Sequence, residues 1–295
     1  MLEKKIRSGF VSVVGRPNSG KSTILNWLLG EKIAMVSHKA NATRKRASMI
    51  AMHEDNQIVF LDTPGLHQKD RALNQFMQEE ALRALGDCDL TLFLAPVTDS
   101  LKEYEKFLTL NENQAKHIVI LTKIDMVSNA KILEKLGEYS KYTDKFVSII
   151  PMSVKNFSLQ KGMLDEIVKN LPIHPYYYDP EILTTQNMRE IYKEFIRESI
   201  FENTSEELPY SSDVIINGVQ EGEKLEKIFA TIVVESKSQK GMVIGKNGAT
   251  LKRIGTDGRK LIEKLIEKKV FLKLSVQVKK GWSKDKDSLK EFGYM

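Results

Sequence analysis

Cysteine is nearly absent from this sequence of 295 residues, which contains only one, Cys88. A single cysteine excludes an internal disulfide bond, so we expect a reducing compartment such as the cytosol. Long apolar runs are also missing, because no stretch reaches the roughly 18 residues that a membrane-spanning helix needs. The apolar run at 10–14 is too short for a signal peptide. We therefore expect a soluble, intracellular protein.

Histidine is scarce as well, and the five histidines show no spacing typical of metal ligands. The remaining composition lies near globular averages, with 41% hydrophobic and 28% charged residues. A chain of this length is expected to form one large domain or two moderate ones, and it can bury a core without a disulfide or a structural metal.

Positive charge is distributed unevenly along the chain. The net charge is +6 overall, but residues 237–284 carry 14 lysines and arginines against three acids, a net charge of +11. Residues 187–236 carry five bases against eleven acids, a net charge of −6. Concentrated positive charge is typical of a nucleic-acid surface, although a solvated basic helix face gives the same pattern.

Short apolar runs alternate with longer amphipathic runs over residues 9–172. This alternation predicts an α/β domain with a mostly parallel sheet and helices on both faces. Only residues 53–57 separate the second and third runs, so one antiparallel edge strand is expected. The predicted strands are 9–14, 47–53, 57–61, 89–95, 117–121 and 146–151, and the predicted helices are 21–29, 73–85, 101–110, 130–142 and 159–170.

A smaller α+β domain is predicted in the last third of the chain. Three of the eight prolines lie within 171–180, which disfavours both a helix and a central strand. The pattern after them predicts a helix (186–202), two strands (213–219 and 227–235), a helical stretch (249–268) and a strand (270–279). The predicted division is a first domain at 1–172, a linker at 173–185, a second domain at 186–285 and a tail at 286–295.

A phosphate-binding loop is predicted directly after the first strand. Residues 15–22 read G-R-P-N-S-G-K-S, which matches G-x-x-x-x-G-K-[ST] between a strand and a helix. The glycines allow successive N–H groups to face phosphate oxygens at a helix N-terminus. Lys21 would reach the β- and γ-phosphates, and the Ser22 hydroxyl would bind Mg²⁺.

Four further segments predict guanine specificity and a switch. Asp125 ends T-K-I-D after the fifth strand, where its carboxylate can accept from the guanine N1–H and 2-amino group, both absent from adenine. Asp62, in D-T-P-G, suits a water-mediated contact with Mg²⁺, and the Gly65 amide suits the γ-phosphate. Thr43 is the candidate threonine that binds Mg²⁺ only when the γ-phosphate is present. The loop that begins at Ser153 suits the guanine O6.

A second motif, G-K-N-G at 245–248, lies between two predicted helices in the basic segment. Because Gly245 and Gly248 lack side chains, a sugar-phosphate backbone can approach closely, and Lys246 supplies charge. This arrangement predicts a clamp for single-stranded nucleic acid. The RNA-binding candidates are Ile244, Gly245, Lys246, Asn247, Gly248, Lys252 and Arg253.

These motifs resemble those of the Era family of ribosome-assembly GTPases, which belongs to the translation-factor-related GTPases. The resemblance is carried by G-R-P-N-S-G-K-S-T at 15–23, S-H-K-A-N-A-T-R at 37–44, D-T-P-G-L-H at 62–67 and T-K-I-D at 122–125. The last third is similar in its order of elements to a type II KH domain. Four positions depart from the family pattern. Thr122 stands where the family usually has Asn, Ser19 where it has Val, Ala42 where it has Thr, and Val154 where it has Ala. Thr122 keeps a hydroxyl that can hold the loops together.

The resemblance implies a GTPase switch with GTP or GDP and Mg²⁺, and single-stranded RNA near the 3′ end of 16S rRNA as its partner. It further implies a role in 16S rRNA processing and 30S subunit assembly. A monomer is expected, in the cytoplasm and at the periphery of the inner face of the cell membrane.

Slow hydrolysis is expected because Leu66 follows D-x-x-G, where Ras-like GTPases place a glutamine that orients water. Asn18 is similar to the P-loop asparagine of potassium-stimulated relatives, where K⁺ stabilises charge in the transition state; a loop asparagine can also simply cap its own turn. The catalytic candidates are Lys21, Thr43 and Asn18, and the Mg²⁺ candidates are Ser22, Thr43 and, through water, Asp62. The nucleotide-binding candidates are Gly15, Arg16, Pro17, Asn18, Ser19, Gly20, Lys21, Ser22, Thr23, Asp62, Thr63, Pro64, Gly65, Leu66, Thr122, Lys123, Ile124, Asp125, Ser153, Val154 and Lys155.

Two other functions remain open at this point. The basic segment could bind anionic lipid in a signalling GTPase, although a helix on lipid needs large apolar residues along one face. An ATP-driven RNA remodeller is the second alternative, and Asp125 argues against it.

Overall fold

The structure, a computed structural model, describes residues 5–34, 43–64, 72–111, 115–204 and 208–294. The described residues form two compact units: the first contains those within 5–34, 43–64 and 77–185, and the second contains those within 72–76 and 186–294. Each unit contains a hydrophobic core of its own. Within the described ranges, no helix is long and apolar enough to span a membrane.

The first unit is built on a six-stranded sheet in the order β2-β3-β1-β4-β5-β6. All neighbouring strands are parallel except β2 and β3, which form an antiparallel pair at one edge. The predicted mostly parallel sheet with one antiparallel edge strand is therefore confirmed. The strands are β1 (Ser8–Val14), β2 (Ala47–His53), β3 (Asn56–Asp62), β4 (Leu90–Pro96), β5 (His117–Thr122) and β6 (Ser148–Pro151); the helices are α1 (Lys21–Leu29), α2 (Ala72–Gly86), α3 (Lys102–Leu110), α4 (Asn129–Tyr139) and α5 (Leu159–Lys169).

Two separate apolar clusters cover the two faces of this sheet. Every residue of β4 is buried, and successive side chains alternate between the clusters: Leu92 belongs to one and Phe93 to the other. Strands buried on both faces consist of continuous apolar runs, which is why β4 and β5 are apolar along most of their length. The parallel strands bring their carboxyl ends to one edge of the sheet, where ligands bind in folds of this kind.

The second unit packs three helices on a three-stranded sheet in the order β7-β8-β9, with β7–β8 antiparallel and β8–β9 parallel. The order α-β-β-α-α-β agrees with the prediction from the sequence. Trp282, just beyond the sheet, is fully buried and donates its indole N–H to the Ser211 carbonyl at 3.1 Å, so it anchors the core. The elements are α6 (Met188–Asn203), β7 (Ser212–Gln220), β8 (Leu225–Val234), α7 (Lys237–Ile244), α8 (Ala249–Ile266), β9 (Lys269–Val278) and α9 (Lys286–Glu291).

The residues outside the two predicted domains also make packing and hydrogen-bond contacts. In the segment 173–185, the Tyr178 carbonyl accepts from the Gln57 amide at 2.8 Å, and the Thr184 hydroxyl donates to the Ser48 carbonyl at 2.7 Å, so the segment lies against the first unit. In the segment predicted as a tail, α9 buries Leu289 completely. That segment contributes apolar surface to the second unit.

The burial of Leu289 predicts a measurable contribution of α9 to stability. Leu289→Ala should lower the free energy of unfolding by about 2–5 kcal/mol, the usual effect of truncating a buried leucine. Lys286→Ala on the exposed side of the same helix is the control and should change it by less than about 0.5 kcal/mol. Urea unfolding checks both variants, and equal small effects would show that α9 is not packed in solution.

Candidate nucleotide and nucleic-acid sites

The loop between β1 and α1 approaches its neighbours so closely that glycine is required at position 15. A Cβ at Gly15 would lie 2.8 Å from the Leu94 carbonyl oxygen of β4. Gly20 caps α1 with φ at +102°, a conformation that side chains rarely adopt. These two positions wrap the loop around the N-terminus of α1. The geometry is that of an anion-binding cradle.

Lys21 is the charged centre of this loop. Its side chain is buried, and Nζ donates to the Gly15 and Arg16 carbonyl oxygens at 3.1 Å each. Burial lowers the pKa of Lys21 from 10.5 to about 8, although the charge of Asp62 partly opposes this effect. A buried ammonium held by neutral carbonyls gains strongly from an added anion, so the loop is prepared for a phosphate.

The three predicted Mg²⁺ residues lie together beside the loop. The Ser22 hydroxyl lies 3.1 Å from the Thr43 hydroxyl and 3.4 Å from Asp62 Oδ2, and the Thr43 hydroxyl donates to the same carboxylate at 3.1 Å. Hydroxyl and carboxylate oxygens are the hard donors that Mg²⁺ prefers. The set therefore fits Mg²⁺ with phosphate oxygens and waters as its other ligands. A bound Mg²⁺ would neutralise charge on the β- and γ-phosphates.

No cluster of three or more His, Cys, Asp or Glu side chains that could hold a metal occurs in the part of the chain that the structure describes. Of the three candidate Mg²⁺ residues, Asp62 is the one with a carboxylate. A metal held by two hydroxyls and, through water, by one carboxylate would depend on the nucleotide for the rest of its ligands, which suits a site that forms with the nucleotide.

The predicted guanine-binding loops meet at Asp125. The Ser153 hydroxyl donates to Asp125 Oδ1 at 2.7 Å, and Lys155 Nζ lies 2.7 Å from Oδ2. The hydrogen bond from Lys155, followed by that from Ser153, lowers the pKa of the Asp125 carboxyl. Asp125 is therefore ionised at neutral pH and can act as a double acceptor. Carboxylate oxygens have several lone pairs, so both partners leave it capable of accepting from a base.

Two hydrogen bonds join this region to the phosphate loop. The Thr122 hydroxyl donates to the Ser19 carbonyl at 3.2 Å, and Lys123 Nζ donates to the Asn18 carbonyl at 2.9 Å. Lys123 and Asn18 both have φ at +60°, which is uncommon for residues other than glycine. Thr122 thus holds the loops together with its hydroxyl, as expected for the departure from asparagine.

Asp99 is the residue of this site that the sequence analysis missed. The Arg16 guanidinium donates Nη2 to Asp99 Oδ1 at 2.7 Å and Nε to Oδ2 at 2.5 Å, and this bidentate contact raises the pKa of Arg16. Lys135 Nζ donates to the Asp99 carbonyl at 3.0 Å. Asp99 follows β4, so its position after a parallel strand was the only sequence signal available.

The other nucleotide-binding candidates differ in burial and in the contacts that they make within the protein. The Thr63 hydroxyl donates to the Val13 carbonyl at 2.7 Å and is fully buried, so it fixes the end of β3 to β1. Val154 and Ile124 are partly buried against the two cores of the first unit. Pro17 lies within the phosphate loop and Thr23 within the first turn of α1, and both are partly exposed. Gly20 and Pro64 lie within the described loops. Gly65 and Leu66 lie outside the described residues, so slow hydrolysis stays a prediction.

The G-K-N-G loop connects α7 to α8 in the second unit. Gly245 has φ at +72°, and a Cβ there would collide with the Thr250 hydroxyl, so only glycine fits. Gly248 has φ at +78° and faces open space. Lys246 and Asn247 are exposed at the tip of the loop. A backbone can therefore approach this loop without meeting a side chain at either glycine.

The remaining RNA-binding candidates are Lys252 and Arg253, which are exposed on the first turn of α8, and Ile244, which is half-buried at the end of α7. Two nearby apolar residues, Val243 and Ile254, are fully buried in the core of the second unit. These two residues anchor the helices on either side of the loop to that core.

Comparison with known proteins identifies the families to which the two parts of the chain are similar. Residues 10–123 match a family described as "50S ribosome-binding GTPase", and residues 196–283 match the KH domain family. The chain is 54% identical over 286 residues to GTPase Era of Campylobacter jejuni (strain 81-176), an alignment that covers 97% of this chain and 98% of the relative. The chain belongs to the Era family of GTPases. The family predicted from the motifs is confirmed.

Other members give the same result. The chain is 53% identical to GTPase Era of Campylobacter concisus over 98% of this chain and 100% of the relative. The crystal structure of a point variant of Aquifex aeolicus Era bound to GDP·AlF₄⁻ matches with a TM-score of 0.93 and 31% identity, over 98% of this chain and 99% of that one. A structure of Era with MgGDPNP and nucleotides 1506–1542 of 16S rRNA matches equally well, at 32% identity. This Era-family chain is therefore a GTPase domain followed by a KH domain.

The lowered pKa of Lys21 predicts a pH-dependent stability without nucleotide. The unfolded chain holds this proton up to about pH 10.5 and the folded protein up to about pH 8, so the cost of burying the charge is full below pH 8 and disappears as pH rises to 10.5. Over that range the wild type should gain about 3 kcal/mol relative to Lys21→Met. Urea unfolding from pH 7.5 to 10.5 measures the difference, and parallel curves for the two proteins would contradict it.

Proposed function

We propose that this chain binds GTP and GDP with Mg²⁺ and uses slow GTP hydrolysis to switch its state. The observation that carries the proposal is the convergence of Ser22, Thr43 and Asp62 beside the buried Lys21. Thr43 lies in the segment between α1 and β2, apart from the phosphate loop. Its presence at the Mg²⁺ set links that segment to the γ-phosphate and provides the basis of a switch.

The three catalytic candidates act on different parts of the bound nucleotide and its cations. Lys21 holds the β- and γ-phosphates and stabilises the charge that develops during transfer. Thr43 binds Mg²⁺ when the γ-phosphate is present. Asn18 is exposed in the phosphate loop, where its side chain can hold K⁺ beside the phosphates. The two solved relatives hold GDP·AlF₄⁻ and MgGDPNP, which supports the same ligands here.

The Asp125 geometry predicts a change of base preference. Asp125→Asn should weaken GTP binding by about 100-fold, because the bound guanine would cover a side chain that no longer accepts both of its hydrogen bonds, a penalty of about 3 kcal/mol at most. Binding of xanthosine triphosphate should improve, because its 2-oxo group can accept from the new amide. Competition against labelled GDP measures both affinities. Asp144→Asn, at an exposed aspartate, is the control, and unchanged GTP binding by Asp125→Asn would refute the assignment.

For the second unit, we propose single-stranded RNA as the ligand, in particular the 3′ region of 16S rRNA. The exposed Lys246 and Asn247 between two open glycine positions, within a segment of net charge +11, support this proposal. A relative of known structure contains nucleotides 1506–1542 of that RNA. The protein would then act in 16S rRNA processing and 30S subunit assembly. We place it in the cytoplasm as a monomer, with peripheral association with the inner face of the cell membrane.

The G-K-N-G loop predicts a separation of RNA binding from GTP turnover. Replacing Lys246 and Asn247 by Asp should reduce affinity for a 16S rRNA 3′ segment by at least about 100-fold, because two negative charges would face phosphate at the clamp. Basal GTP hydrolysis should stay within about twofold. Lys290→Asp, an exposed lysine on α9, is the control for charge. Filter binding at one fixed salt concentration measures the RNA affinity. If the double variant still binds RNA, the RNA assignment is refuted. It is also refuted if the variant loses binding to anionic vesicles and keeps its affinity for RNA.

A further inference from the structure

The outer face of the sheet in the second unit is not covered by its helices. Along β8, the side chains at 226, 228, 230, 232 and 234 are buried, and the intervening residues from 225 to 231 point to the other face. Along β9, the residues at 269, 271, 273, 275 and 277 are all exposed. The core of the unit therefore lies on one side of the sheet, and the other side is a broad accessible surface.

Two phenylalanines and two lysines alternate on this face. In the parallel register of β8 and β9, Lys227 lies beside Phe271 and Phe229 lies beside Lys273. The two rings are 6.4 Å apart at their centroids and inclined by 64°. Phe271 keeps 49% of its surface exposed, a large value for an aromatic residue within a sheet. Each ring thus has a lysine next to it on the neighbouring strand.

Phe229 is half-buried, and the third strand leaves one flank of its ring uncovered. Phe229 pairs with Gly218 of β7, at a point where the register shifts past a bulge. A Cβ at Gly218 would lie 4.0 Å from that ring, so only the missing side chain keeps this flank uncovered. Further along the face, the Thr231 hydroxyl donates to Asn217 Oδ1 at 2.7 Å and lies 2.9 Å from the Ser275 hydroxyl. The aromatic pair is therefore bordered by polar groups that can donate and accept hydrogen bonds.

The charge on this face has one sign. The outward positions of β8 and β9 contain Lys227, Lys269 and Lys273 and no acid. The only acid in the two strands, Glu226, is buried on the inner side and accepts from the Tyr192 hydroxyl at 2.6 Å. The face therefore complements a polyanion.

We propose that this face is a second RNA-binding surface, on which unpaired bases stack against Phe271 and Phe229 while Lys227 and Lys273 contact phosphates. Exposed aromatic rings on a sheet, with cations between them, are the usual means of holding single strands without strict sequence preference. The inference rests on the RNA-binding function proposed above. It assigns to the sheet a contact that differs in kind from the glycine clamp, which works by close approach of the backbone.

The length of RNA in the solved relative supports a second contact. A G-x-x-G loop holds about four nucleotides, whereas the relative was solved with the segment 1506–1542. An RNA of that length extends well beyond one clamp. A surface in the same unit that stacks bases without reading their sequence would bind part of the remainder.

A membrane surface fits this face less well than RNA does. Insertion into lipid needs a contiguous group of large exposed apolar side chains. Here Leu225 and Phe271 are the large apolar residues with high exposure on the face, at 42% and 49%. Lysines separate the aromatic rings, and hydroxyls border them. Alternating rings and cations match the alternation of bases and phosphates in a single strand.

The test uses the full-length protein and the 16S rRNA segment 1506–1542, with affinity measured by fluorescence anisotropy at fixed salt. Phe271→Leu keeps an apolar side chain and removes the ring, so it should lower affinity about tenfold, the range expected for one stacked base. Phe271→Tyr keeps the ring and should stay within about twofold of the wild type. Both variants should retain the thermal stability and basal GTP turnover of the wild type, because position 271 is largely exposed.

The lysines have a matched pair of their own. Lys273→Gln should lower affinity several-fold and reduce the slope of log affinity against log salt by about 0.7, the value for one phosphate contact with a single strand. Lys273→Arg keeps the charge and should preserve both quantities. A variant that combines Phe271→Leu with Asp at positions 246 and 247 tests whether the two contacts are independent. Its fold-loss of RNA affinity should equal the product of the two separate fold-losses, because independent contacts add in free energy.

The outcomes separate this inference from the function on which it rests. If the wild type fails to bind the segment, the proposed RNA function fails and this inference fails with it. If the wild type binds and Phe271→Leu binds equally well, the sheet surface alone is refuted. Loss of binding to phosphatidylserine vesicles with unchanged RNA affinity would assign the face to a membrane and also overturn the inference. Loss in Phe271→Leu with retention in Phe271→Tyr supports it.

Discussion

The parallel backbone pairing of β1 with β3 and β4, and of β5 with β6, is the constraint on which the nucleotide site depends. It brings the ends of strands that are distant in sequence to one edge of the sheet. Asp62 therefore lies near Ser22, and Ser153 lies near Asp125. The backbone hydrogen bonds between strands set these positions, and the side chains then make their contacts at the strand ends. The chemistry of the site follows from a register set by buried apolar residues.

Within that frame, the site is organised around a cation that is poorly compensated. Lys21 is buried against neutral carbonyls, and its lowered pKa reflects the cost of holding charge there. Arg16 is instead paired with Asp99 by two hydrogen bonds. The two neighbouring cations therefore differ in function: Arg16 is satisfied within the protein, and Lys21 has its strongest partner in an incoming phosphate.

The second unit offers a polyanion two kinds of surface. At the G-K-N-G loop the backbone itself is accessible, because Gly245 has no room for a side chain and Gly248 faces open space. On the outer face of the sheet, side chains form the surface, as aromatic rings alternate with lysines across β8 and β9. The G-K-N-G loop can hold a short length of RNA by close contact with its sugar-phosphate backbone, whereas the rings on the sheet can stack against any base. The two surfaces are therefore suited to different parts of one RNA.

Local sequence determined the elements and the motifs, since these depend on short-range periodicity and turn chemistry. The predicted strand at 47–53 and helix at 21–29 have the observed bounds, whereas the helix predicted at 130–142 ends as α4 at Tyr139 and continues as a 3₁₀ turn. The contact of Asp99 with Arg16 and the alternation of Phe271 with Lys227 were decided only by the tertiary structure. Both join strands or loops far apart in the chain, and strand register, which sets such contacts, depends on the packing of the whole core.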